Sequence, residues 1–216
     1  EIGRVLRQYF QTPMLRCVGL DMGSGAIKLV ELEAPQRLAQ PWRVHTAYYV
    51  ENSAPNLQTE WLNHPSAAEI LADQIRQVFM DSGAQSRHMV MAMPPQAVTH
   101  KILNFPAQLP ASAIEVQLRL TLENHVPFPV DEIQFDFQCL GLDDANPEQQ
   151  RVLLAACRKH DRLAYENLLN MAGLTPAILE YETFAWQNIA HLPGNELNLI
   201  ETNEIVGLLD IGANKI

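Results

Sequence analysis

The stretch "CVGLDMGSGAIKLVELE", residues 17 to 33, constrains the fold more tightly than any other part of the chain. An apolar run ends in Asp21, turns on Gly23-Ser24-Gly25, and resumes at once as a second apolar run carrying Lys28. Two runs rich in branched side chains, parted only by small residues, read as adjacent antiparallel strands. The sequence then echoes itself. "VGLDMGSG" at 18 to 25 and "LLDIGANK" at 208 to 215 share the order Leu-Asp-hydrophobic-Gly-small at the end of an apolar strand. Such an echo points to two related strand-turn units facing one another.

The chemistry of the pair suits a polyphosphate. Glycines let backbone N–H groups approach phosphate oxygens and form an anion-binding nest. Each hydrogen bond to a charged group contributes about 1.5–3 kcal/mol, and Ser24 can add a hydroxyl. Asp21 and Asp210 would repel the anion unless a hard cation stood between them. Mg²⁺ keeps several of its waters, and carboxylates at strand ends can hold those waters without touching phosphate. Lys28 shares a strand face with Val30 and Leu32, close enough to the turn to reach a phosphate. A plain hairpin, with Asp and Gly shaping the turn and Lys28 solvated, accounts for either loop alone. The recurrence of the motif favours phosphate.

Strands and helices alternate along the rest of the chain. Residues 42 to 51 read as a third strand. Pro65 with Ser66-x-x-Glu69, read as a capping box, starts a helix that buries Leu71, Ile75, Val78 and Phe79 and stops at Asp81-Ser82-Gly83. Residues 87 to 93 form a fourth strand, broken at Pro94-Pro95. From residue 96 the pattern becomes β-α-β-β-α. A strand precedes a helix capped at Ser112-x-x-Glu115 and ended by Val126-Pro127-Phe128-Pro129, and strands near 132 to 140 and 151 to 157 follow. A helix carrying Tyr165, Leu168, Leu169 and Ala172 then ends at Gly173. The expected organisation is a parent subdomain of residues 17–95 and 174–216, interrupted by an inserted subdomain of residues 96–173. "PAILEYE" returns to the parent sheet, "TFAWQNIAH" adds a helix, and "EIVGLLDIG" a final strand.

Composition narrows the function. The chain has 216 residues, 47% of them hydrophobic and 19% charged, enough to bury one sizeable core or two smaller ones. Its formal net charge of -10 opposes a nucleic-acid surface, which needs clustered Lys and Arg. No apolar run approaches the roughly 18 residues that span a bilayer, and no secretory leader opens the chain, so a cytoplasmic protein is expected. Cys17, Cys139 and Cys157 are widely spaced in apolar, strand-like settings and suit reduced, buried thiols. The seven histidines show no ligand or triad spacing. Residues 1–16 place Ile2, Val5, Leu6, Tyr9 and Phe10 on one helical face beside Arg4 and Arg7. That segment can cover its own domain, or dock on an anionic membrane or a partner.

With these motifs on the page, the chain resembles a known family. "GLDMGSGAIKLVEL" and "GLLDIGANK" are similar to the first and second phosphate loops of the actin-like superfamily, which includes sugar kinases and heat-shock ATPases. "LENHVPFPVDEIQFDF" and "RVLLAACRKHDRLAYENLLNMAGLTPAILEYETFAW" are similar, in residues and spacing, to the PilM family of type IV pilus assembly, which is related to the division protein FtsA. The resemblance covers about residues 17 to 216. It implies an α/β, actin-like (ribonuclease H-like) fold, with a mixed sheet flanked by helices and an inserted subdomain of the type called 1C in FtsA.

By the same resemblance, Asp21, Gly23, Ser24, Gly25 and Lys28 contact phosphate and magnesium, and Asp210, Gly212, Ala213 and Asn214 form the opposing loop. ATP or ADP with Mg²⁺ is the implied cofactor, with Asp21 and Asp210 as the metal-side carboxylates. Glu182 falls where relatives place a polar residue near the attacking water. Its position equally suits a helix-N-terminal acid interacting with the dipole. Ala213 stands where many relatives have glycine, and its Cβ restricts backbone approach, so hydrolysis is expected to be weak at most. The chain ends six residues after Asp210, where the second lobe of the superfamily would follow. This chain is therefore expected to lack that lobe and to bind nucleotide weakly.

The implied role is that of a cytoplasmic scaffold, peripheral on the bacterial inner membrane. It would capture the cytoplasmic tail of a PilN-like membrane protein, with pilus motor ATPases as further partners. Val126 and Phe128 stand out as a wall for that tail, although a Pro-bracketed Phe also serves as a simple core plug. An FtsA-like division adapter and a phosphoryl-transfer enzyme of the same superfamily are the alternatives.

Overall fold

The computed structural model describes residues 16–34, 42–51, 61, 62, 64–190, 207 and 209. Residues 1–15 of the N-terminal segment read over 1–16, the final strand and second loop apart from Gly207 and Leu209, and with them Asp210, Gly212, Ala213 and Asn214, lie outside the described residues. The chain divides into two compact units, residues 1–93 with 165–216 and residues 94–164.

The first unit is built on a five-stranded mixed sheet of order β3-β2-β1-β4-β8. β1 (Arg16–Met22), β2 (Ala26–Glu33) and β3 (Arg43–Glu51) form an antiparallel meander. β4 (His88–Met93) lies parallel to β1 on its other side, and β8 (Thr175–Tyr181) lies parallel to β4. Period-two alternation sends Val18, Leu20, Ile27, Leu29, Met89, Met91 and Met93 to one buried face. Helix α1 (Pro65–Ser82) packs against β2 and β3, with Leu71, Ala72, Ile75, Val78 and Phe79 buried. It ends at Gly83, whose left-handed φ of 70° suits a residue without Cβ.

The start of α1 differs from the capping box read at Ser66-x-x-Glu69. Pro65 takes the first helical position, where its missing N–H costs nothing and its fixed φ is already helical. The residue before a proline is pushed to extended backbone, so His64 (φ -129°, ψ 104°) becomes the cap and Ser66 lies inside the helix. Pro110 likewise caps α2 (Ala111–Thr121), with its carbonyl accepting from the N–H groups of Ala113 and Ile114 at 2.9 and 3.1 Å. Ser112 is again inside the helix, and neither cap makes a side-chain hydrogen bond.

Helix α3 (Lys159–Met171) buries Tyr165, Leu168 and Leu169, and the division between the two units falls within it. Its end is a Schellman motif. Gly173, at φ 76°, donates to the Asn170 carbonyl, and Leu174 donates to Leu169, each at 2.9 Å. Tyr165 meets Trp61 edge to face, with ring centroids 5.0 Å apart. β8 then leads directly into α4 (Glu182–Ala190), which contacts β8 and β4.

In the second unit, β5 (Val98–Pro106), β6 (Ile133–Leu142) and β7 (Gln149–Arg158) form an antiparallel sheet of order β5-β7-β6. Ile114 and Leu118 of α2, followed by Leu122 and Val126, pack with Phe105, Ile133, Val152, Leu154 and Ala156. Cys139 is exposed, which corrects the expectation of three buried thiols. It lies on an outer strand where the register shifts between Cys139 and Gly141, so its side chain leaves the alternation that buries Val152 opposite it. Cys17 and Cys157 are partly buried, and burial raises both thiol pKa values, that of Cys157 to about 11.

Candidate functional site

β1, β4 and β8 run in the same direction, so their carboxyl ends share one edge of the sheet. Ligands of open α/β sheets bind at that edge, where chain leaves the strands and backbone groups become available. The described half of the candidate site stands there. Met22 ends β1 beside the turn Gly23-Ser24-Gly25, and Tyr181 ends β8 beside Glu182. The fold therefore brings Asp21, Gly23, Ser24, Gly25, Lys28 and Glu182 to one end of one sheet.

The turn is tight. The Gly23 N–H donates to the Ala26 carbonyl at 2.8 Å, and a Cβ on Gly23 would stand 3.1 Å from that same oxygen. Close backbone approach explains this glycine. Left-handed backbone does not, since the positive-φ glycines among the described residues are Gly83, Gly141 and Gly173. One amide expected to face a phosphate is thus engaged within the hairpin, and the N–H groups of Ser24 and Gly25, the Ser24 hydroxyl and Lys28 are the other candidates for anion contact.

Asp21 and Lys28 are register partners across β1 and β2, so their side chains leave the same face of the sheet. The Lys28 ammonium donates to Asp21 Oδ2 at 2.9 Å. Both groups remain open to solvent, with side-chain exposures of 53% for Lys28 and 59% for Asp21. Residues of these types fit a magnesium polyphosphate, with a carboxylate for the metal's water shell, an ammonium for phosphate, and a small-residue turn for close approach. Among the described residues, no three His, Cys, Asp or Glu side chains cluster to hold a metal.

Glu182 opens α4, where its charge faces the positive end of the helix dipole. Its neighbour Tyr181 is buried and meets Phe184 edge to face at 4.8 Å. The wall expected at Val126 and Phe128 is core and core margin. Val126 is buried in the second unit's core, and Phe128 packs against that core under the Arg158 guanidinium, 4.5 Å from its ring centroid. Apolar neighbours of their own unit occupy these side chains, which is the core-plug alternative.

A residue that sequence reasoning missed lies at the opposite end of the sheet. Glu31 follows Ile27 and Leu29 along the buried row of β2 and is only 2% exposed. Its Oε1 accepts from the Ser86 N–H at 2.8 Å and the Gln85 N–H at 3.2 Å, tying β2 to the loop between α1 and β4. Ser86 Oγ donates to the Arg16 carbonyl at 3.1 Å and Arg16 Nη1 donates to Gln85 Oε1 at 2.8 Å, which tie β1 to the same loop. After its own burial, the nearby Glu31 carboxylate is the further cause that raises the Cys17 pKa. A charge breaking the apolar alternation at every second residue was the available signal.

A mixed five-stranded sheet flanked by helices, with a strand-turn-strand loop at the carboxyl end of its central strand and a small antiparallel second unit, defines an actin-like α/β protein. The chain belongs to the type IV pilus assembly protein PilM family, whose profile matches residues 19–216. Among solved structures it is similar to a PilM-PilN type IV pilus biogenesis complex, at 26% identity and a TM-score of 0.67 over 80% of this chain. The match takes in 49% of that chain, so this chain spans about half the length of its solved relative. Two more distant likenesses are the cytoplasmic domain of EpsL from the type II secretion system of Vibrio cholerae and an actin-like ATPase-fold protein from Bacteroides thetaiotaomicron. The first has 14% identity and a TM-score of 0.47, covering 84% of this chain and 60% of that one. The second has 10% identity and a TM-score of 0.39, covering 82% and 56%.

Proposed function

We propose that this chain forms the first lobe of a cytoplasmic scaffold at the type IV pilus assembly platform. The scaffold holds the short cytoplasmic tail of a PilN-like inner-membrane protein and binds MgATP or MgADP when its second lobe is present. The observation that carries this reading is the likeness at 26% identity to a PilM solved together with PilN. Among the described residues no helix is long and apolar enough to cross a membrane, so attachment through a membrane partner's tail suits the chain. Edge strands and exposed apolar side chains are the features that receive an extended tail. The pilus motor ATPases are the further partners of the same scaffold, on the cytoplasmic face of the inner membrane.

At the nucleotide loops Asp21 would hold water of the metal shell and Lys28 would meet a phosphate oxygen. Asp210, Gly212, Ala213 and Asn214 would supply the opposing loop, as the resemblance implies. Magnesium, when bound, would supply positive charge to offset that of the phosphates. Glu182 stands at the sheet end where a water can be oriented, and a slow ATPase is the most that this donor set supports. Affinity capture from detergent-solubilised inner membrane, with the intact protein as bait, tests the scaffold. Recovery of a single-pass protein, lost when its cytoplasmic tail is deleted, is the expected result. Recovery of a tubulin-like division protein instead would overturn it.

A further inference from the structure

We infer that the Asp21–Lys28 ion pair is an exchange gate: the lysine is released to phosphate more readily when a divalent cation takes over the aspartate. This inference rests on reading the loop as a polyphosphate site, and three observations carry it beyond that reading. The pair is set up by strand register, because Asp21 and Lys28 are direct partners in the β1–β2 ladder, which keeps both side chains on one face and within reach of each other while the hairpin stands. The contact is a short charge-assisted hydrogen bond of 2.9 Å with both partners more than half exposed, so solutes reach either charge. The Gly23 N–H is engaged with Ala26, so fewer backbone donors remain in the turn and the lysine carries more of any anion binding.

A polyphosphate arriving without metal meets an ammonium already neutralised by Asp21, and brings its own negative charge against that carboxylate. A divalent cation arriving alone meets a carboxylate already neutralised by Lys28. Together they exchange partners. The cation's shell takes the carboxylate, the phosphate takes the ammonium, and no charge is left uncompensated. Magnesium thus favours phosphate at this loop as well as carrying it.

The test is a titration with inorganic triphosphate, followed through the amide resonances of Ser24 and Gly25, in Mg²⁺ and separately in EDTA. Wild type is expected to saturate in Mg²⁺ and to bind weakly in EDTA. Asp21→Asn removes the competing charge, so its triphosphate affinity in EDTA rises about fivefold, the upper range for a solvent-exposed ion pair. Its affinity in Mg²⁺ falls. Lys28→Gln loses affinity in Mg²⁺ and shows no gain in EDTA. Asp21→Ser, which offers no amide to Lys28, should repeat the Asp21→Asn pattern. Equal or weaker binding by both Asp21 variants in EDTA, beside a wild type that binds in Mg²⁺, would overturn the gate while leaving the phosphate loop standing. No saturable shift of Ser24 or Gly25 in wild type with Mg²⁺ would overturn both.

Discussion

Removing the Glu31 carboxylate is expected to destabilise the first unit by about 3 kcal/mol, and the value follows from what it holds. Glu31 is buried and accepts from two backbone N–H groups, those of Gln85 and Ser86. A buried donor left without an acceptor costs about 1–3 kcal/mol, so two donors would give about 2–6 kcal/mol if fully buried, and these part-buried ones fall toward the lower half of that range. Glu31→Ala creates that situation. Glu31→Leu nearly restores the volume but not the acceptor, and it should cost almost as much. Glu31→Gln keeps one carbonyl oxygen in reach of the Ser86 N–H and should cost about 1 kcal/mol, the loss of charge assistance. Native-state hydrogen exchange reads the clamp residue by residue, and the Ser86 and Gln85 amides should lose protection in the Ala and Leu variants. If Glu31→Leu recovers the stability lost in Glu31→Ala, then volume, and not hydrogen bonding, is what Glu31 supplies. The clamp argument would then be refuted.

Other outcomes follow from the same structure. In Glu31→Gln the Cys17 pKa should fall part of the way toward its ordinary value of 9.0, because the carboxylate is the lesser cause of its elevation and burial the larger. The pH profile of Cys17 alkylation, in a variant lacking Cys139 and Cys157, reads it. Glu33 has its pKa lowered first by the hydrogen bond with His45, 2.6 Å away. Its contribution is therefore present above the ordinary carboxylate value of 4.5 and is lost as pH falls through the depressed folded value. His45→Gln should accordingly be less stable than wild type near neutrality and converge with it in acid, and parallel acid-limb curves would contradict this. Gly83→Ala should cost about 1 kcal/mol from left-handed backbone alone, since a Cβ there meets nothing within 4 Å. An unchanged urea midpoint would remove that cause.

The helices and strands were legible wherever periodicity was strong. Leu71, Ile75, Val78 and Phe79 on one face, Gly83 and Gly173 as stops, and the β-α-β-β run after Pro95 all appear at their expected places. The helix starts were misread at Ser66 and Ser112, because a proline immediately before or at the first turn sets backbone angles more firmly than a hydroxyl cap. Asp21 and Lys28 were read as residues of one candidate site, but their mutual ion pair was not legible. It depends on strand register, which a sequence specifies only through the strand pairing it forms.

The sequence by itself determined the local vocabulary: an apolar strand ending in Asp21, a glycine turn, a second strand carrying Lys28, and motifs that place the chain in the PilM family. These are local matters, because propensity and alternation act over a few residues. Only the tertiary structure decided that Glu182 shares a sheet end with Asp21, that Val126 belongs to a core, and that Glu31 is a buried clamp on the Gln85–Ser86 backbone. Each depends on which distant segment lies alongside, and that is settled when strands pair and faces are buried together.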